Sequence, residues 1–185
     1  MRQIMAKFFW VFQKDNQFER ERDYPVAGGH KGHVCAVDPE CNRHRNVRTR
    51  VKEIRKGDFI LHGNSGLRGG CKIKAISIAL DEYNEQTDRK DYFENEPVAH
   101  AVSWQVPCDY VVLDNPLSYN SRSIKNYLMS RMKKIVGDPF NRCGTGNPGY
   151  CFCLDKETAA FFINEISKNN PAIASWQELH EALKA

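Results

Sequence analysis

No apolar run in this chain approaches the ~18 residues that a membrane-spanning helix requires. No membrane partner is therefore expected. The early run Phe8 to Phe12 is short and no small-residue cleavage site follows it, so it reads as a first strand and not as a secretory signal. There is no internal repeat and no low-complexity tract. The glycines do not form GxGxxG between a buried strand and a helix, which removes a dinucleotide site. HExxH, a catalytic spacing of paired carboxylates and a cysteine in a strand-to-helix elbow are all missing, so the expectation is that the chain is not an enzyme. Seven cysteines is an odd number, and without a signal peptide it argues against a secreted disulfide framework and for a reduced, cytoplasmic setting. Charge of one sign is also scarce. Lys plus Arg number 27 against 23 Asp plus Glu, and a net charge of +4 permits nucleic-acid binding without demanding it.

What is present is enough for one domain. The 185 residues, 41% hydrophobic and 27% charged, have the balance of an ordinary globular chain with a proper core. Residues 7–13 read as a strand. Residues 14–46 lack a clean period and read as a long irregular lobe. Residues 47–54 suggest a short basic helix. Strands follow at about 58–62 and 71–80, then a polar, acidic loop over 81–101. From Trp104 to Leu113 apolar and polar positions alternate as in a strand with one buried face, and Asn115-Pro116 is expected to break it. Ile124, Leu128, Met132 and Ile135 predict a helix over 121–135 with Ser121 or Asn120 as its cap. A glycine- and proline-rich loop at 137–149 leads to a strand at 150–154 and a helix capped by Asp155. Ser175-Trp176-Gln177-Glu178 predicts a capping box. This order implies an α+β fold, with a small curved or closed antiparallel-rich barrel flanked by helices.

Five blocks resemble one family. They are Phe8-Phe9-Trp10-Val11-Phe12-Gln13, Lys56-Gly57-Asp58-Phe59-Ile60-Leu61-His62, Ile73 to Ala79, Ser103 to Tyr110 with Asn115-Pro116-Leu117, and Gly146-Asn147-Pro148-Gly149-Tyr150 with Leu154-Asp155-Lys156-Glu157. In order and spacing they resemble the EVE-like branch of the PUA-like superfamily, which is related to the YTH readers. The resemblance spans residues 7–168. It implies a modified-base-binding domain over 1–170, with a C-terminal helix or the start of a linker over 171–185. It also implies a nucleic-acid partner, modified double-stranded DNA above all, with a modified cytosine flipped into an aromatic pocket. Relatives of this kind serve as the sensing domain of restriction or defence proteins, ahead of a fused nuclease or motor. Flipping suits such a mark, because a methyl group adds few atoms and a snug pocket senses it only outside the stack. The relatives usually carry an aromatic residue in the loop after the first strand. Here that loop reads Gly28-Gly29-His30-Lys31-Gly32-His33-Val34-Cys35-Ala36, without Trp.

The base-pocket candidates are His30, His33, Cys35, Asn64, Ser65, Trp104 and Tyr150. Imidazole offers a flat wall, Asn64 and Ser65 offer hydrogen bonds to a base edge, and Trp104 offers a stacking face. Trp104 suits a barrel core equally well. Phosphate candidates are Arg48, Arg50, Lys52 and Arg55 in the basic run, and Arg142, Thr145 and Asn147 in the glycine loop. A solvated charged face is the plainer reading of the run. Cys35-x5-Cys41-x2-His44, completed by His30 or His33, has the donor types of a zinc site. Its spacing matches no familiar knuckle, and no metal or other cofactor is expected. A reader of modified RNA, a small zinc- or thiol-dependent enzyme built on His30–His44, and a protein-interaction module with an Arg-rich face are the alternatives.

Overall fold

The computed structural model describes residues 5–37, 50–64, 70–86, 103–131 and 137–185. Seven strands form one mixed sheet in the order β2-β6-β4-β3-β1-β7, with β5 paired to β6. They are β1 (Phe8–Gln13), β2 (His33–Val37), β3 (Phe59–Asn64), β4 (Lys72–Ala79), β5 (Asn84–Gln86), β6 (Ser103–Ser118) and β7 (Cys151–Leu154). The helices are α1 (Asp15–Asp23), α2 (Arg122–Ser130), α3 (Lys156–Ser167), α4 (Pro171–Ala174) and α5 (Gln177–Lys184). Among these pairs only β1 with β3 is parallel.

Strand β1 is central and buried along its whole length, which is why FFWVF is a continuous apolar run and not an alternation. Its two faces serve two cores. Phe8, Trp10 and Phe12 join Phe59, Leu61, Phe152 and Leu154 beneath Phe162, Ile163 and Ile166 of α3. Phe9 and Val11 join Ile60, Val34, Val106, Cys108 and Cys151 in the second core, closed by Val51 and Ile54. The sheet is curled into a half-barrel around that second core, so the fold is α+β with helices outside. Strand β6 drives the curl. Its first part lies between β2 and β5, and the rest pairs with β4.

Several expectations need correction. Residues 14–46 are not irregular throughout, since they contain α1 and β2. The helix expected at 47–54 is a 3-10 turn over Arg50–Glu53 in the described part. Asn115-Pro116 does not end β6. Val112 pairs with Ala75 and Leu117 with Ile73, so residues 113–116 bulge out, and a bulge needs no ladder donor from proline. Asn170 holds the bulge by accepting from the Asn115 backbone N–H at 3.0 Å and donating to its carbonyl at 3.0 Å. The capping box does not form. Ser175 Oγ donates to the Pro171 carbonyl at 2.9 Å, and Trp176 stands at the N-cap of α5. Asp155 does cap α3, accepting from the Thr158 N–H at 2.8 Å. Residues 171–185 place Ile173 and Leu179 in the α3 core.

Gly63 is required by a close approach. A Cβ there would meet the Trp10 ring at 2.5 Å. Gly63→Ala is expected to cost ~1–3 kcal/mol through overpacking, read from a urea melt. No helix of the described residues is long and apolar enough to cross a membrane.

Candidate functional site

The inward face of the half-barrel turns polar at one end, and α1 lies across that end. Period-2 alternation carries Gln13 inward after Phe9 and Val11, His62 after Ile60, and Ser77 between Ala75 and Ala79. All three are buried. Glu21 of α1 is buried against them.

These groups form one directed hydrogen-bond chain. Ser77 Oγ lies 2.7 Å from His62 Nε2, and His62 Nδ1 lies 2.9 Å from Gln13 Oε1. The Gln13 amide donates onward to Glu21 Oε2. Tyr150 OH donates to the same oxygen at 2.5 Å and accepts from the Cys35 N–H at 3.1 Å. Gln17 donates to Glu21 Oε1 at 2.8 Å. An amide oxygen only accepts, so Nδ1 of His62 carries the proton and Nε2 accepts from Ser77. Burial sets both titrations. It raises the Glu21 carboxyl to about 7 against the opposing hydrogen bonds. It lowers the His62 imidazole to about 3, so that ring is neutral.

Beside this chain stands an aromatic group. The His62 and Tyr110 rings are 4.2 Å apart, and Phe18 of α1 meets both edge-on at 6.2 and 6.1 Å. Tyr110 OH donates to the His33 carbonyl at 2.8 Å. Two cations lie over Phe18, Lys74 at 5.4 Å and Arg22 at 5.6 Å from its centroid. Asp15 fixes the start of α1 through Lys74 and through Asn64 Nδ2 at 2.5 Å. The result is a packed set of aromatic rings and polar groups at one end of the half-barrel, edged by Lys74 and Arg22, which pair with Asp15 and Asp23.

No family model and no curated protein matches the chain. Solved structures do. A protein from Pseudomonas syringae superimposes with a TM-score of 0.52 at 10% identity, covering 86% of this chain and 99% of that one. A protein from Pseudomonas putida gives 0.52 at 8% identity, with 86% and 99% covered. These structures share the α+β fold described above, a curled mixed sheet flanked by helices. Human THYN1 protein, solved in complex with DNA containing 5-methylcytosine, superimposes at 0.47 with 10% identity over 87% of this chain and 98% of that one.

The half-barrel gathers some of the sequence candidates and separates others. Tyr150, the Cys35 backbone and the His33 carbonyl belong to the chain just described. His33 is buried, with the Tyr24 ring 4.4 Å away. Asn64 is buried at the start of α1, and its carbonyl accepts from Tyr119 OH at 2.5 Å. His30 is exposed after the Ala27–Gly29 turn. Trp104 lies apart, in the second core with one face under Lys52. Ser65, Arg48, Cys41 and His44 lie outside the described residues. Among the described residues no group of three or more His, Cys, Asp or Glu is placed to hold a metal ion.

The basic turn makes contacts within the chain. Arg50 donates to Cys153 Sγ at 3.2 Å, Lys52 pairs with Glu85 at 3.8 Å, and Arg55 pairs with Glu82 at 3.7 Å. In the 137–149 loop Arg142 and Thr145 are exposed, and Asn147 donates to the Asp138 carbonyl at 2.8 Å. The candidates did not include Gln13, Phe18, Glu21, Lys74 or Tyr110. For Gln13, His62 and Ser77 a signal existed in the sequence, since each is a polar residue on the buried face of an otherwise apolar strand.

Proposed function

We propose that this chain binds nucleic acid carrying a modified base, modified cytosine in DNA above all, and receives the flipped base at the α1 end of the half-barrel. One observation carries the reading. Phe18, His62 and Tyr110 stand together beside a buried polar chain, and two cations, Lys74 and Arg22, lie over the Phe18 ring. Aromatic faces take the base by stacking, cations take the phosphate, and the polar chain offers donors and acceptors to a base edge. The role proposed with it is recognition without catalysis, as the sensing module of a cytoplasmic restriction or defence system with a fused or partner nuclease or motor. Burial pushes the Cys108 thiol up to about 12 and raises those of Cys151 and Cys153, which disfavours a thiolate at these three positions.

Fluorescence anisotropy with paired duplexes, one holding 5-methylcytosine and one plain, tests the reading. Tyr110→Ala is expected to remove discrimination, a loss of ~1–3 kcal/mol for one stacked base, and to leave weak general binding. Lys74→Ala should weaken both duplexes alike and flatten the log–log salt slope by about one unit. Full discrimination in a folded Tyr110→Ala protein would reject the site. A preference for modified single-stranded RNA over either duplex would transfer the reading to RNA.

A further inference from the structure

The ammonium of Lys52 sits in a cage at the edge of the second core. Its Nζ lies 4.2 Å from the Trp104 ring centroid and 5.6 Å from that of Tyr83. Glu85 Oε1 is 3.8 Å from the same Nζ, and accepts from Trp104 Nε1 at 3.3 Å. Two aromatic faces and a carboxylate that is itself hydrogen-bonded to one of them thus surround a single cation. The walls come from β6, from β5 and from the residue just before β5. The Lys52 side chain is 34% exposed and that of Glu85 57%, so the occupant sits at the surface and can exchange.

We propose that Trp104, Tyr83 and Glu85 form a binding cage for an alkylammonium side chain of a protein partner, filled in the free chain by Lys52. This goes beyond the nucleic-acid reading and uses a different face of the fold. The present occupant displays the chemistry the cage accepts. An anion is refused, because Glu85 and the negative ring faces repel it. A methylated ammonium is held better than Lys52, since a primary ammonium is strongly hydrated and gives up more water on entering. Lys52 has the advantage of being tethered, which makes it a competitor at high effective concentration. The Glu85 carboxylate favours a cation that keeps an N–H to donate. The cage therefore prefers mono- and dimethylammonium to a quaternary nitrogen.

The test titrates the wild-type chain and Lys52→Ala with N-acetyl-dimethyl-lysine amide and its trimethyl analogue, following the Trp104 indole N–H by NMR. Lys52→Ala is expected to bind the dimethyl probe about tenfold more tightly than the wild type, because the tethered competitor is gone. Glu85→Ala in that background should erase the preference for dimethyl over trimethyl, and Tyr83→Ala should weaken both. A Lys52→Ala protein that melts like the wild type and shows no saturable indole shift overturns the proposal. So does binding of equal strength in Tyr83→Ala. A nucleoside monophosphate that produces the same saturable shift also overturns it, and assigns Trp104 to base stacking. If Lys52→Ala does not fold, the wild type decides alone. A saturable indole shift with the dimethyl probe supports the cage, and its absence at probe excess rejects it.

Discussion

Glu21→Gln is expected to make the chain more stable above pH 7 and to leave its stability unchanged near pH 4. Burial raises the Glu21 carboxyl from 4.5 to about 7, so between those values the folded chain holds a proton that the unfolded chain has released. A group shifted in this direction contributes its full stability below 4.5 and loses it as pH climbs through 7. At ~1.36 kcal/mol per pKa unit the loss is roughly 3 kcal/mol by pH 8. His62 runs the other way. Burial lowers it from 6.5 to about 3, so its contribution is full above 6.5 and is lost as pH falls through 3. Between pH 4.5 and 6.5 the two slopes oppose each other, and their sum is nearly flat. Glu21→Gln should therefore expose a loss of stability with acid, and His62→Gln a gain. Urea melts across pH 4 to 8 measure both, and the difference between variant and wild type cancels the other carboxylates. Parallel profiles for Glu21→Gln and wild type would show that the buried carboxyl does not titrate in this window.

The same residues explain what was legible in the sequence. Strands β1, β3 and β4 were visible because central strands are apolar and the Gly57-Asp58 turn marks the entry to β3. Gly57 has φ of 86°, and Asp58 accepts from the Lys7 and Arg55 N–H groups at 2.8 Å each. Helix α1 was not visible. DNQFERERD has one buried apolar residue, Phe18, and its other buried side chain is Glu21, so no apolar period marks its inner face. That face is polar because it covers a polar chain, and the chain itself is assembled from β1, β3, β4, α1 and the residue before β7. Local rules also gave way to tertiary contacts. Asn115-Pro116 is a breaker by local preference, yet the Asn170 clasp accommodates it inside β6. Ser175 has the chemistry of a cap, but it bonds back to the carbonyl four residues earlier.

Trp104→Ala is expected to cost ~3–5 kcal/mol of stability, the loss of a large core side chain and the cavity it leaves. Trp104 is 3% exposed and belongs to the second core with Val34, Ala36, Val106 and Ile54. Its Nε1 is hydrogen-bonded to Glu85, and Lys52 covers a face of its ring, so truncation also removes that hydrogen bond and that cation–π contact. Trp104→Phe keeps most of the volume and gives up the indole donor. Its cost should be near ~1 kcal/mol, that of one hydrogen bond to a charged acceptor at the surface. A melt and a binding assay on the same preparations separate the roles of this residue. With the base received at the α1 end, Trp104→Phe should melt slightly earlier and discriminate between modified and plain duplexes as well as the wild type. A Trp104→Ala protein that melts like the wild type but no longer discriminates would reverse the assignment. It would move the base from Phe18, His62 and Tyr110 to the Trp104 face, with Lys52 displaced to make room.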